Sequence, residues 1–155
     1  MIKLRERKYR FWDIEKKQMR YPRDGRYPDL LINPEGQIYR SDCVVWDDLQ
    51  PTEDFILMDW LGITDKNGKD IYELDFVKFY GKFYGKKEDR ILLVEYAPRC
   101  AAFLFSDNPK DKMGWGLTFP DKNKYYEENK APFLKIVGNY FEDPELLTQE
   151  GNSNG

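Results

Sequence analysis

The sequence predicts a mainly β protein with little helix, arranged as a small barrel or sandwich. Three observations carry this. Short segments rich in rings and branched side chains alternate with turn signals at about the 8–12-residue spacing of small all-β folds. No apolar periodicity of the helical kind persists for the roughly 12 residues a helix needs. Asn67-Gly68 stands between apolar-flanked segments, a strong short-range hairpin signal.

The elements follow in order. Tyr9–Asp13 is dominated by rings and reads as a strand, Asp13–Lys17 as a polar turn, and Gln18–Tyr21 as a returning strand stopped by Pro22. Pro22–Pro28 reads as loop. Leu30–Ile32 is a short apolar strand ended by Asn33-Pro34-Glu35-Gly36, where proline presets φ and glycine closes a β-turn. Gln37–Arg40 and Val44–Trp46 read as further strands, and Gln50–Asp54 as a loop or one helical turn. Phe55–Ile63 leads into the Asp65–Lys69 hairpin, where both Asn67 and Gly68 are expected to tolerate positive φ.

Ile71-Tyr72 and Asp75–Tyr80 supply the next strand, with Gly81 and Gly85 as punctuation. Ile91–Tyr96 and Ala101–Phe105 are the most apolar strand candidates. Ser106–Gly116 is a polar loop, Tyr125–Glu128 a short helix, and Phe133–Val137 a strand that stops at Gly138-Asn139. Pro144 opens a short helix with Asp143 as its N-cap. Lys69–Tyr80, Ile91–Tyr96, Ala101–Phe105 and Phe133–Val137 are expected in one sheet or barrel. Residues 1–54 form a β-rich N-terminal segment, 55–147 the barrel core with a C-terminal turn of helix, and 148–155 a disordered tail.

Composition agrees with a folded chain. The 155 residues suit one domain or two small lobes. Charged residues make up 34%, but aromatic residues make up 16%, and rings bury much area each, so a core is affordable. There is no histidine, which excludes Ser-His-Asp and Cys-His catalysis and every His-ligated metal site. Cys43 and Cys100 are too few for a Cys₄ site and read as buried reduced thiols, with a disulfide between them as the alternative. Met1–Arg10 is charged and lacks an apolar segment, so no signal peptide is expected. No stretch approaches the about 18 apolar residues of a membrane span. The protein is read as cytoplasmic, without a membrane partner.

Charge is uneven. Residues 1–26 hold 10 Lys/Arg against 4 Asp/Glu, a net of +6, and residues 27–155 hold 15 against 24, a net of −9. A basic head on an acidic body suits contact with phosphate, with an acidic partner or with a second copy, and the plainer reading is a strand pair that keeps its Lys/Arg on the solvated face.

The candidate contact residues lie in Lys78-Phe79-Tyr80-Gly81-Lys82-Phe83-Tyr84-Gly85-Lys86-Lys87, where Lys-Phe-Tyr-Gly occurs twice in tandem. Lys78, Tyr80, Lys82, Tyr84, Lys86 and Lys87 combine cations with rings, the pattern of a surface that tracks phosphates and stacks bases. The plainer reading is a hairpin whose rings pack on the body while its lysines stay in water. The acids Asp42, Asp47, Asp48, Glu53, Asp54 and Asp59 read as surface charges, since nothing selects a catalytic pair among them. Asp65–Gly68 superficially matches a calcium loop, but that register makes Ile63 the first ligand and Leu74 the last. No phosphate-binding glycine motif is present.

Three blocks together resemble the phage-associated YopX family. Tyr9-Arg10-Phe11-Trp12-Asp13 with Lys16-Lys17-Gln18-Met19 is similar to its N-terminal signature. Met58–Val77, with Asp65-Lys66-Asn67-Gly68-Lys69-Asp70-Ile71-Tyr72-Glu73-Leu74-Asp75 at its centre, is similar to the family's "D-K-N-G-K-E-I-Y-E-G-D" block. Val137–Leu147 is similar to its closing "V-I-G-N-I-Y-E-N-P-E-L-L". Leu74 stands where the family often has glycine, and Trp60 where Tyr or Phe is common. The resemblance implies a phage or prophage context in a bacterial host, a β-rich fold and an SH3-like barrel in the C-terminal half. It brings no catalytic, cofactor or metal residue to carry over. The expected function is therefore a non-enzymatic binding or assembly module that takes itself or another protein as partner. Nucleic-acid binding through the basic N-terminus and Lys78–Lys87 is the alternative.

Overall fold

The structure, a computed structural model, describes residues 8–22, 30–33, 35–40, 51–83, 86–98, 101–106 and 129–147; at 30, 31, 40, 81–83 and 86–89 it describes the backbone. Cys43, Cys100, the Val44–Trp46 strand, the Tyr125–Glu128 helix, the 107–116 loop, the tail and the outer parts of the basic head lie outside the described residues. Ten strands are described: β1 Tyr9–Asp13, β2 Gln18–Arg20, β3 Leu30–Ile32, β4 Ile38–Arg40, β5 Phe55–Thr64, β6 Asp70–Tyr72, β7 Asp75–Phe83, β8 Lys86–Ala97, β9 Ala102–Ser106 and β10 Leu134–Asn139. Pro144–Leu147 forms a single 3₁₀ turn. The fold is mainly β, with antiparallel ladders between the strands.

The chain divides into two compact units within β5, after Asp59, whereas the sequence reading places the division at the strand's start. The first unit, Lys8–Asp59, pairs β2 with β1, β1 with the first half of β5, and β3 with β4. Its core is Phe11, Ile38 and Phe55, with Tyr9, Ile32 and Leu57 packed against them. Tyr9, Phe11 and Phe55 meet edge to face, with centroids 5.3 Å and 6.3 Å apart. Asp13 closes the β1–β2 turn: one carboxylate oxygen accepts the Lys16 N–H at 2.8 Å, and the other faces Arg20 at 3.4 Å.

In the second unit, Trp60 and Thr64 of β5 pair with Tyr72 and Asp70 of β6. Gly62, at φ +86°, sits in the bulge between them. The Trp60 indole N–H donates to the Ile63 carbonyl, a bond a phenylalanine at this position lacks. The main sheet has the order β10-β7-β8-β9. Val77, Phe79, Leu92, Val94, Phe105 and Leu134 alternate onto one face and build a core with Ile71 and Ala131. Among the described residues no ladder joins β9 to β10; the SH3-like closure implied by the resemblance goes beyond the described pairing.

Several sequence expectations need correction. Lys69–Tyr80 does not enter one sheet: β6 pairs with β5, and β7 lies between β10 and β8. The break is at Leu74, which adopts φ +63° in the turn between β6 and β7. Its N–H donates to Val94 O and its carbonyl accepts from Tyr140 N–H, so two neighbours hold it there. Gly81 does not end a strand, because β7 runs through it and pairs Gly81 with Glu88. Asn139 belongs to β10, opposite Asp75, after a bulge between Ile136 and Gly138. Asp143 does not cap the final turn with its side chain; that carboxylate accepts the Asn139 N–H at 3.0 Å instead.

Candidate functional site

The hairpin joining β5 to β6 is built by Asp65. Its carbonyl accepts the Gly68 N–H at 3.0 Å, and its own N–H donates to Lys69 O at 2.8 Å. This is a three-residue loop in which Gly68 alone takes a positive φ, of +81°. Asn67 is not left-handed, which corrects the expectation of a two-residue turn with positive φ at both central positions. The Asp65 side chain completes the loop: Oδ1 accepts the N–H groups of Asn67 and Lys69 at 2.8 and 3.0 Å, and Oδ2 accepts Ile136 N–H at 3.1 Å. A fully buried carboxylate is thus bonded by three backbone donors.

The same device recurs between β3 and β4. Asn33 O accepts Gly36 N–H, Asn33 N–H donates to Gln37 O, and Asn33 Oδ1 accepts Gln37 N–H. Gly36 takes φ +85°. Asx-x-x-Gly therefore writes two equivalent loops, one in each unit.

The Asp65 loop presents Lys66. Its N–H donates to Leu134 O, which fixes the base of the side chain against β10, next to β7 in the sheet. There Val77 and Phe79 turn to the core, while Lys78 and Tyr80 take the opposite face. Tyr80 is 37% exposed and its N–H donates to Phe133 O. The Lys66 ammonium lies 4.1 Å from the Tyr80 ring centroid and the Lys78 ammonium 5.3 Å. Each contact is worth about 0.5–1 kcal/mol at an exposed ring. Lys135 on β10 is paired directly opposite Lys78. Like charges in that position repel, which costs this cross-strand pair some stability.

Of the sequence-predicted contact residues, the structure brings Lys78 and Tyr80 together. Lys82 pairs opposite Lys87 and Phe83 opposite Lys86 in the β7–β8 ladder. Tyr84 lies outside the described residues. Acids share this hairpin, since Glu88 and Asp89 pair opposite Gly81 and Tyr80. Sequence reasoning missed Lys66 and Lys135. The Asp-x-x-Gly spacing marks Lys66 as the first outward position of its loop, whereas nothing local marks Lys135, whose place depends on the β10 register.

Elsewhere, Glu53 and Asp54 are exposed and Asp59 is half-buried; Asp54 accepts from the Thr52 hydroxyl. Asp42, Asp47 and Asp48 lie outside the described residues. Burial raises the Glu95 carboxyl above its ordinary value. Among the described residues no group of three or more Cys, Asp or Glu side chains is placed to hold a metal ion, and no helix is long and apolar enough to cross a membrane.

These features define a class: a two-unit antiparallel β protein whose loops are tied by Asx side chains and whose second unit carries a lysine–tyrosine face. The chain belongs to the YopX family, whose profile, described as YopX protein, matches residues 8–148. Among solved structures, protein EF1440 from Enterococcus faecalis is similar over 92% of this chain and 98% of its own, with 21% identity and a TM-score of 0.52. Protein yopX from Bacillus subtilis is similar over 90% of this chain and 96% of its own, with 23% identity and a TM-score of 0.50. At these identities the likeness concerns the fold. No curated protein matches the chain.

Proposed function

We propose that this chain is a phage-associated accessory protein of the bacterial cytoplasm that works by contact and not by catalysis. Its lysine–tyrosine face binds an acidic protein surface, that of a second copy included. The observation that carries this reading is the convergence of Lys66 and Lys78 on the Tyr80 ring with Lys135 across the ladder. Base stacking needs a bare ring, and here two ammonium groups already lie over it. An acidic protein surface needs only the cations. The imbalance between the net +6 head and the net −9 remainder supports self-association.

Light scattering across salt concentrations tests it. An assembly that dissociates as salt rises, and that Lys66→Glu with Lys78→Glu abolishes, supports self-association. A monomer at every salt concentration removes it and leaves a heterologous acidic protein. The tandem Lys-Phe-Tyr-Gly repeat, which places Lys82 opposite Lys87, favours nucleic acid as a second reading. A high 260/280 absorbance ratio on purification, lost in high salt, decides for it.

A further inference from the structure

We propose that Asn67 is a latent deamidation site that the Asp65 loop holds closed. The inference stands on the loop and not on the binding proposal. Asparagine followed by glycine is the sequence in which the next backbone nitrogen most easily reaches the side-chain amide, because glycine has no Cβ to obstruct the approach. Hydroxide takes the proton from the Gly68 nitrogen, and that nitrogen attacks Asn67 Cγ. The N–Cγ bond forms, the Cγ–Nδ2 bond breaks, and the amide leaves as ammonia after gaining a proton from water. Water then opens the resulting succinimide at one carbonyl or the other, giving aspartate or isoaspartate. No electron is transferred and no cofactor is needed.

The surroundings admit the reagents. Asn67 is exposed, and nothing lies within 4 Å of the position a Cβ on Gly68 would take. The backbone opposes the attack. The Gly68 N–H is donated to Asp65 O at 3.0 Å, so deprotonation leaves a nitrogen lone pair facing a carbonyl oxygen. The Asn67 N–H is held by Asp65 Oδ1 at 2.8 Å, so with the Gly68 N–H also bonded the peptides on both sides of the Asn67 Cα are pinned, which restricts the ψ rotation that would bring the nitrogen to Cγ. Asp65 cannot turn away cheaply, because Oδ1 also holds Lys69 N–H and Oδ2 holds Ile136 N–H. Reaction therefore waits on opening of the loop.

Asn33 is the internal contrast. It anchors the equivalent loop, but the residue after it is Pro34, whose nitrogen has no proton to lose. Conversion of Asn67 places a new carboxylate next to Lys66. In the isoaspartate form the main chain gains one carbon, which moves apart the two N–H groups that Asp65 Oδ1 bridges.

The test follows the whole chain at mildly alkaline pH, folded in buffer and unfolded in urea, with peptide mapping across Asn67 by mass spectrometry. Conversion of Asn67 about tenfold or more slower in the folded protein is expected, as for any reaction whose geometry is reached only by local opening. Asp65→Ala in native buffer is expected to react faster than the parent; should that variant fail to fold, the folded and unfolded parent still decide the matter. Equal rates in the folded and unfolded parent overturn the proposal, and so does an Asn67 that stays intact in urea.

Discussion

Asp65 Oδ2 accepts the backbone N–H of Ile136 at 3.1 Å, a bond that joins a hairpin turn to a strand 71 residues later. Ile136 lies at the bulge of β10, where the ladder with β7 shifts register. The carboxylate thus takes up a donor beside the irregularity while its other oxygen closes its own loop. One side chain couples local turn geometry to the long-range placement of β10.

Asp65→Ala strips an acceptor from three backbone donors. The expected loss is about 2–4 kcal/mol, since hydrogen bonds to charged groups are strong and buried unpaired donors are costly. Urea denaturation monitored by tryptophan fluorescence measures it. An unchanged midpoint would contradict a structural role for this carboxylate.

At Gly68 space is free, so conformation alone sets the cost of a side chain. Gly68→Val is expected to lower stability by about 1–2 kcal/mol, because branched residues resist positive φ. Gly36→Val should behave alike, since that glycine has φ +85° and equally open surroundings. Thermal melts of the two variants, compared with each other, check the equivalence of the loops.

Leu74 occupies a conformation that glycine takes without penalty. Leu74→Gly is expected to stay within about 1 kcal/mol of the parent, as relief of the left-handed conformation offsets the entropy of glycine. Leu74→Val should fall about 1–2 kcal/mol below Leu74→Gly, for the steric reason that applies at Gly68. The reverse order in denaturation midpoints would sink this account.

Gly138 is required for a different reason. A Cβ there would stand 2.5 Å from Asp143 Oδ2 and 2.9 Å from Leu146 Cδ1. Gly138→Ala is expected to cost about 1–3 kcal/mol, the range for forcing an atom into a packed site. In an Asp143→Ala background the penalty should shrink, and a double-mutant cycle reads the difference.

Glu95 supplies a pH dependence. Its folded-state carboxyl is raised by burial, so the folded chain binds that proton more tightly than the unfolded chain does. Stability from this group is present below the ordinary carboxylate range and is lost as pH rises through the raised value. Glu95→Gln stays neutral throughout. The variant should match the parent in acid and exceed it at neutral pH; a gap that does not widen between pH 4 and pH 7 would refute the assignment.

Legibility follows the range of the interactions. The Asn33–Gly36 turn and the Asp65–Gly68 hairpin are readable because an Asx side chain and a glycine three residues later act within a few bonds of chain. The hairpin's detailed form is not, since Asn-Gly also suits a two-residue turn and the Asp65 side chain tips the balance. Lys78 and Tyr80 are recognisable as a same-face pair from strand alternation. Lys66 and Lys135 reach that face through a loop and a ladder that no local pattern encodes.

What the sequence determined by itself is the β character, the position of most turns and the family blocks from Tyr9 to Leu147. Each depends on propensities or spacings that act over a handful of residues. The tertiary structure alone decided that β6 and β7 enter different sheets, that Lys135 faces Lys78, and that Asp65 holds Ile136. Those outcomes depend on ladder register between segments far apart in the chain, and a one-residue slip sends every side chain of a strand to its other face.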